Sequence, residues 1–279
     1  MTFKQRCCAV KWGEMSLVSL YLSVVSGIVV ALQYAPATPY FSTSGMDILV
    51  PFGSFFRSVH FYSSQGFFVL CLVHFVAILA DNSYLRLSFG KWLPLVGSIP
   101  FALLLLFSGY VLRGDATGEM AGLIAENICL SIPVIGDQLN NLLFAISAEG
   151  MKRVYANHVI GFVVVWGVLC WDHVRKYRAN IRQHGTLLSF YCVLCLLIDA
   201  PMEPETLSVA HIPGPWFFLG LQEVLMVIQP LWSGVVFPLT FLAGLFLLRR
   251  EDLLGRYAVF YSVFWLFFYL ILTFIGLGR

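Results

Sequence analysis

The sequence predicts an all-α integral membrane protein with about seven transmembrane helices. Of its 279 residues, 59% are hydrophobic and only 11% are charged, and phenylalanine alone supplies 25. A soluble domain of this length does not need so much apolar surface. The apolar residues form runs long enough to cross a bilayer, and basic residues recur in every second connection between those runs. The chain is therefore expected to be a multi-pass membrane protein, and no nucleic-acid partner is expected.

Seven apolar segments are the predicted spans. The fifth has about twelve residues and is short for a membrane crossing, so the count of seven depends on it. The first four would form a four-helix bundle within residues 1–184, and residues 185–279 would form a second, three-helix part. The predicted spans are residues 15–35, 53–80, 93–112, 155–171, 187–198, 231–248 and 257–275.

The charges between the spans predict the side of the membrane on which each connection lies. Basic residues precede the first span and occur between spans two and three, four and five, and six and seven, whereas acidic residues dominate the other connections. The positive-inside rule therefore places the N-terminus in the cytoplasm and the C-terminus outside. No cleavable signal peptide is expected. The basic residues are Lys4, Arg6, Lys11, Arg86, Lys91, Arg175, Lys176, Arg178, Arg182, Arg249, Arg250 and Arg256.

Two pairs of histidines lie inside apolar segments. His60 and His74 are fourteen residues apart, and His158 and His173 are fifteen apart. Fourteen residues are close to four helical turns, so both members of a pair lie near one helix face, roughly 21 Å apart along the axis. Spans two and four run in the same direction, which pairs His60 with His158 and His74 with His173. These pairs would hold two six-coordinate haems, although a lone histidine on an apolar helix is more often an ordinary hydrogen-bonded interior residue.

The long connection at residues 113–152 contains two helix-forming stretches, 121–130 and 138–146, joined by Ile-Pro-Val-Ile-Gly. This pattern predicts a helical hairpin that lies at the membrane interface. The seven cysteines include no Cys-x-x-Cys-His motif for covalent haem attachment. Cys192 and Cys195 lie three apart on an apolar segment and are expected to be packing residues rather than a redox or metal pair.

Several short motifs accompany the histidines. Gly109-Tyr-Val-Leu, Ser131-Ile-Pro-Val-Ile-Gly and the segment containing His211, Ile212 and Trp216-Phe217-Phe218 are examples. Together with the histidine spacing, they resemble the cytochrome b subunit of quinol-oxidising bc and bf complexes. The resemblance covers nearly the whole chain. It is closest to the short photosynthetic or bacterial form, with its N- and C-terminal parts fused.

The resemblance implies two non-covalently bound haems b. His60 and His158 would be the ligands of the outer haem, and His74 and His173 those of the inner haem. Arginines near the haem propionates and glycines that let the haem edges approach the helices are also implied. These residues are Arg57, Arg153, Arg178, Gly13, Gly27 and Gly109.

The resemblance also implies quinone chemistry at both faces. At the outer face, Gly214-Pro215-Trp216-Phe217 stands where the family has Pro-Glu-Trp-Tyr, so Pro215 replaces the glutamate thought to take a quinol proton. A proline accepts no proton, so a working outer site needs another acid. The outer candidates are Glu223, Glu126 and Asp115, and the quinone-site residues would be Pro215, Trp216 and Phe217. At the inner face, His184 and Arg178 are candidates for a quinone, and His184 equally suits an ordinary loop.

Other positions depart from the family pattern. Arg113 and Gly114 follow the third span where the family has Pro-Trp. A haem-facing glycine of the third span is replaced by Leu95, with Gly97 two residues later. Lys11 stands where the photosynthetic form has the cysteine of its extra covalent haem. That role would pass to Cys7 or Cys8 only if the start of the first helix were shifted.

The expected function is transmembrane electron transfer, with quinol oxidised near the outer haem and electrons passed to the inner haem and a quinone. The implied cofactors are two haems b and menaquinone or ubiquinone. The implied partners are membrane lipid and an iron–sulphur protein or multihaem c-type cytochrome, with the chain as a homodimer in a multi-subunit complex of a bacterial inner membrane. Two alternatives stay open: a dihaem conduit that meets quinone at one face only, and a haem-containing anchor for a larger extracytoplasmic assembly.

Overall fold

A computed structural model describes residues 10–148, 150–177, 179–207 and 212–279. These residues lie in helices and connections, and no strand occurs among them, which confirms the all-α prediction. The helices of this described part, numbered in chain order, are α1 (Trp12–Gln33), α2 (Pro39–Leu49), α3 (Gly53–Ala80), α4 (Phe89–Val111), α5 (Ala116–Leu130), α6 (Gly136–Leu143), α7 (Met151–Val174), α8 (Ile181–Leu197), α9 (Leu219–Leu225), α10 (Leu231–Leu247) and α11 (Leu253–Leu277).

Five of these helices, α1, α3, α4, α7 and α11, are long and apolar enough to cross a membrane. They have between 22 and 28 residues, which exceeds the roughly 20 that a bilayer core requires. Helices α8 and α10, predicted as spans five and six, are apolar but shorter. The protein is therefore a multi-pass membrane protein. The count of seven spans and their orientation stay predictions.

Helix α7 contains a π turn at Asn157–Gly161, after which the regular helix resumes. A π turn accommodates one more residue than an α-helical turn. His158 lies in this turn, and His173 lies in the last turn of the regular helix. The π turn therefore accounts for the one residue by which the spacing of His158 and His173 exceeds that of His60 and His74.

The chain divides into two compact units, of which the first contains Met1–Ser88 and Val165–Met202. In its described part, α1 packs along α3 through small buried side chains, which allow two helices to approach closely. Those on α1 are Ser16, Ser19, Ser23 and Ser26. Helix α8 joins this unit through Tyr191, which is 4% exposed. Its hydroxyl lies against Gly66, where an added Cβ would overlap it.

The second unit contains Phe89–Val164 and Glu203–Arg279. Within it, α9 packs across α11 at two glycines, Gly220 and Gly276. A Cβ added to Gly220 would lie 2.8 Å from the hydroxyl oxygen of Thr273. The absence of side chains at these glycines is therefore what brings the short helix α9 against the long helix α11.

The predicted helical hairpin consists of α5 and α6, which pack against each other in the second unit. Helix α5 begins at Ala116, earlier than the predicted stretch, because the Asp115 carboxylate caps it by accepting the backbone N–H of Gly118 at 2.9 Å. In the turn between the helices, Val134 adopts a φ of 69°.

Candidate functional site

His74 and His173 lie together in the first unit. Their imidazole ring centroids are 6.2 Å apart, and the ring planes meet at 43°. A metal held by two imidazole nitrogens at about 2 Å each places the ring centroids about 6 Å apart. The two side chains therefore have the separation that one iron with two axial histidines requires.

Three of the four histidines face a glycine on a neighbouring helix. A Cβ added to Gly13 would lie 3.2 Å from Cε1 of His74. One added to Gly27 would lie 2.8 Å from Cε1 of His60. The same holds at Gly109 in the second unit, where a Cβ would lie 3.0 Å from Cε1 of His158. These glycines leave each imidazole room that any other residue would fill.

Hydrogen bonds orient two of the imidazoles. Nδ1 of His60 lies 2.8 Å from the backbone oxygen of Ser23, and a carbonyl only accepts, so Nδ1 carries the proton. In the second unit, Nδ1 of His158 lies 2.9 Å from the hydroxyl of Ser108, which itself donates to the carbonyl of Leu104. Both histidines therefore present a lone pair at Nε2, as axial ligands must. Neither serine was predicted, although Ser23 and Ser108 lie close in sequence to Gly27 and Gly109.

The arginines predicted near the haems have different surroundings. Arg57 is buried and binds the Asp47 carboxylate with two nitrogens, at 2.7 and 2.5 Å. It also donates to the backbone carbonyl of Ala200 at 2.7 Å. Arg153 is exposed and donates to the carbonyl of Ala148 at 3.4 Å. Arg57 is thus committed to protein partners that include Asp47, and this ion pair was not predicted.

Several predicted positions lie outside the described residues. Among the candidate haem and quinone contacts this applies to Arg178, and among the motif residues to His211. Cys7 and Cys8 lie outside as well. Of the departures that are described, a Cβ added to Gly97 would meet nothing within 4 Å.

The segment that replaces the family's outer motif is held by two side chains of the second unit. Gln222 accepts the backbone N–H of Gly214 at 2.7 Å and donates to the carbonyl of Ile212 at 2.9 Å. The Tyr269 hydroxyl donates to the carbonyl of Phe217 at 2.7 Å. Pro215 and Phe217 are buried, whereas Trp216 is 44% exposed. The role of Gln222 was not predicted, because no sequence pattern indicates that one side-chain amide binds two backbone groups of a preceding segment.

Glu223 is buried on α9, with 7% of its surface exposed. Its carboxylate oxygen lies 3.4 Å from a guanidinium nitrogen of Arg279, which is itself about half exposed. Its side chain also lies beside Gly276 of α11. Glu223 is therefore an acid within a packed helix pair, with one cationic neighbour that reaches the surface.

Asp115 is completely buried, and both of its oxygens accept hydrogen bonds. Oδ1 accepts from Gly118 and from the Thr117 hydroxyl, and Oδ2 accepts the backbone N–H of Glu203 at 3.0 Å. Arg113 forms an ion pair with it at 2.6 Å. Asp115 thus links the start of α5 to the connection that contains Glu203. Arg113, at a position where this chain departs from the family's Pro-Trp, neutralises this carboxylate.

Glu126 closes the hairpin between α5 and α6. Oε1 accepts from the Asn140 amide at 2.9 Å and from the Ser147 hydroxyl at 2.8 Å, and Oε2 accepts the Ser147 backbone N–H at 3.0 Å. Burial raises the pKa of this carboxyl, but the hydrogen bonds from Asn140 and Ser147 outweigh burial and leave the pKa below its ordinary value.

His184 is buried at the start of α8 and joins a short chain of polar groups in the first unit. Its Nε2 lies 3.3 Å from a carboxylate oxygen of Glu14, and the other oxygen of Glu14 pairs with Lys11 at 2.9 Å. His184 also lines a cavity of about 400 Å³ together with Met15, Gln183, Thr186, Leu187 and Phe190. Glu14 was not predicted, although an acid inside an apolar helix is itself a signal of function.

Comparisons with known proteins show the family to which the chain belongs. The family model described as cytochrome b/b6/petB matches residues 5–175. Cytochrome b6 of Heliomicrobium gestii is 26% identical over 154 residues, covering 53% of this chain and 72% of that protein. Cytochrome b of Dictyostelium discoideum is 24% identical over 265 residues, covering 81% of this chain and 67% of that protein.

A similar fold occurs in a chain of a hyperthermophilic respiratory Complex III. The TM-score is 0.70 at 18% sequence identity, and the match covers 99% of this chain and 84% of that chain. The family model alone spans well over half of the 279 residues. This chain therefore belongs to the cytochrome b/b6/petB family, the haem-binding cytochromes of membrane electron transport.

Proposed function

We propose that the chain carries electrons across a membrane through two non-covalently bound haems b. The observation that carries this proposal is the 6.2 Å separation of the His74 and His173 rings, with Gly13 beside one of them. The second haem would be held by His60 and His158. This pairing follows from the parallel direction predicted for the two helices. It is supported by the matching surroundings of the two histidines, each of which has a glycine beside its ring and a hydrogen-bond partner at Nδ1 in its own unit.

The described residues suit electron transfer rather than oxygen chemistry. A haem held by two histidines would have no open position for oxygen and would supply one-electron redox chemistry. Ser23 and Ser108 keep the protons of His60 and His158 on Nδ1, which would leave each Nε2 with a lone pair for a haem iron. Of the proposed propionate partners, Arg153 is exposed and has only a weak carbonyl contact, whereas Arg57 is bound to Asp47.

At the inner face we propose a quinone in the cavity beside His184. The cavity has mainly apolar walls, formed by Met15, Leu187 and Phe190, and one imidazole among them. Glu14 orients Nε2 of that imidazole. Such a lining suits an apolar ring whose carbonyl oxygen needs a hydrogen-bond donor. Menaquinone and ubiquinone both fit this description.

At the outer face we propose that quinol is oxidised near Trp216 and Phe217, with Glu223 as the proton acceptor in place of Pro215. Glu223 is favoured over the other two candidates because the carboxylate oxygens of Asp115 and Glu126 accept hydrogen bonds that hold connections together. The second electron of the quinol would go to an iron–sulphur protein or a multihaem c-type cytochrome. The assembly would be a homodimer within a multi-subunit complex of a bacterial inner membrane.

One alternative has a specific observation in its favour. Because Pro215 accepts no proton, the chain would act as a dihaem conduit if quinone exchanged electrons at the inner face only. A haem-containing anchor for a larger extracytoplasmic assembly is the other alternative, and quinone-dependent haem reduction in the isolated chain would argue against it.

The decisive experiment is a visible redox titration of the purified protein combined with pyridine haemochrome analysis. Two extractable haems b per chain with two separate midpoint potentials are expected. A single extractable haem would refute the dihaem proposal. Adding an inner-site or an outer-site quinone inhibitor then separates the alternatives, because a one-sided conduit loses all quinol-driven haem reduction with the inner-site inhibitor alone.

The Glu223→Gln variant tests the outer site. Slower quinol-driven reduction of the outer haem is expected, with normal reduction through the inner site, when both routes are followed by rapid mixing. Glu119→Gln is the matched control because Glu119 is an exposed acid in the same unit. Unchanged outer-site rates in Glu223→Gln would remove Glu223 from the proposal and leave Glu126 and Asp115.

A further inference from the structure

The middle of the first unit contains an aromatic side chain at the level halfway between the two histidines of α3. Phe67 lies seven residues after His60 and seven before His74. At about 1.5 Å of rise per residue, it is about 10 Å along the helix from each histidine. Phe67 is buried, with 7% of its surface exposed. Its ring therefore occupies the interior between the two ligand levels.

Helix α7 places a second aromatic ring at the corresponding level. Trp166 lies eight residues after His158 and seven before His173. The rings of Phe67 and Trp166 contact each other edge to face, with centroids 5.5 Å apart and planes at 84°. This is a favoured geometry for an aromatic pair, because the positive ring edge meets the negative ring face.

Tyr191 of α8 lies beside the Phe67–Trp166 pair. The Tyr191 hydroxyl lies 2.9 Å from the hydroxyl of Ser19 on α1. It occupies the space left by the missing side chain of Gly66, the residue before Phe67. Tyr191 thus seats α8 against both α1 and α3 beside the aromatic pair, which restricts the position of Phe67.

We propose that Phe67 and Trp166 form the packed spacer through which electrons pass between the two haems, with Tyr191 as the residue that positions it. This inference rests on the proposed dihaem function. One electron leaves one iron and reduces the other, with no bond made or broken and no proton required. Electron tunnelling weakens more steeply across a void than across packed atoms. Interiors are packed to crystal-like density, so removing a large ring at this level leaves a gap in the tunnelling medium.

The test uses the protein with both haems bound and a ruthenium photosensitiser on a cysteine introduced at Asp81, in a background without other accessible cysteines. Asp81 is exposed at the C-terminal end of α3, near His74. With both haems reduced beforehand, a laser flash oxidises the haem of His74 first, and its re-reduction by the electron of the second haem is followed in the visible spectrum. Trp166→Leu and Phe67→Leu should each slow this second step several-fold, while haem content and both midpoint potentials stay unchanged.

Phe68→Leu is the matched control, because Phe68 is equally buried on the same helix but points about 100° away. Its transfer rate should equal that of the unmodified sequence. If the leucine variants lose haem, Trp166→Phe and Tyr191→Phe are the variants that test the spacer. Trp166→Phe should keep most of the rate because it keeps an aromatic ring, and Tyr191→Phe should slow transfer because it loses the bond to Ser19.

Equal rates in Trp166→Leu, Phe67→Leu and Phe68→Leu, with two haems present, would overturn the spacer. If only Trp166→Phe and Tyr191→Phe keep both haems, a transfer rate in Tyr191→Phe equal to that in Trp166→Phe would also overturn the spacer. Failure of the dihaem function would appear differently, as fewer than two haems in the protein with neither ring changed.

Discussion

Carboxylates are used differently in the two units of the chain: Glu14 of the first unit is half-buried, whereas Asp115 and Glu126 of the second are buried. In the first unit, Glu14 binds the imidazole of His184, which lines a cavity, and its other oxygen meets the exposed Lys11. In the second unit, Asp115 and Glu126 accept hydrogen bonds from backbone and side-chain donors of distant connections. The difference teaches that the partners of an acid distinguish a carboxylate beside a cavity from one that holds connections together.

The largest effect that would test the comparison of the two units concerns the proposed haem ligands of the first unit. His74→Ala and His173→Ala should each remove the same haem completely, because one iron needs both imidazoles. His184→Ala should keep both haems, since His184 belongs to the cavity. Pyridine haemochrome analysis measures haem content, and the spectrum identifies which haem is lost. Loss of different haems in the first two variants would contradict the pairing.

Removal of the Asp115 carboxylate should give the next largest effect. Asp115→Ala leaves the buried Arg113 without its counter-ion and uncaps α5, which should cost about 3–5 kcal/mol of stability. Glu14→Gln should cost less than about 1 kcal/mol, because its partner Lys11 is exposed to solvent. Thermal melting of both variants in detergent compares the two. Equal losses of stability would remove the contrast between the two kinds of carboxylate.

Two glycines extend the comparison of the two units: Gly27 of the first unit lies against a histidine, and Gly97 of the second lies against nothing within 4 Å. Gly27→Ala places a methyl group 2.8 Å from His60, and we expect a cost of about 1–3 kcal/mol together with weaker haem binding. Gly97→Ala in the second unit meets nothing and should stabilise α4 by about 0.5–1 kcal/mol, because alanine favours a helix more than glycine does. Melting temperature and haem content of the paired variants measure both effects. A stable, haem-replete Gly27→Ala protein would show that this contact is not required.

The smallest expected effect is the pH dependence contributed by Glu126. Its pKa in the folded protein is below the ordinary value of 4.5, so folding favours the ionised form. The resulting stability is fully present above pH 4.5 and is lost as the pH falls through the folded-state pKa. Melting temperatures of the natural sequence and of Glu126→Gln should therefore converge on acidification. A difference that stayed constant with pH would contradict the structural role of this carboxylate.

Much of the protein followed from the sequence, for identifiable reasons. Long apolar runs predicted the membrane helices because a bilayer core excludes polar residues, although α8 and α10 are too short for length alone to establish a crossing. The histidine spacing and the parallel run of two spans predicted that His74 and His173 would meet, and their ring centroids lie 6.2 Å apart. Gly13, Gly27 and Gly109 were expected from the family resemblance, and each lies against a histidine.

Only the tertiary structure determined which polar groups meet across the chain. Glu14 with His184 and Arg57 with Ala200 are more than a hundred residues apart in sequence, and no local pattern records such contacts. The π turn that reconciles the two histidine spacings is likewise invisible in the residues that form it. The physical reason is the same in each case: periodicity and hydropathy are properties of one segment. The partner of a buried charge and the position of a ring such as Trp166 depend on how separate segments pack.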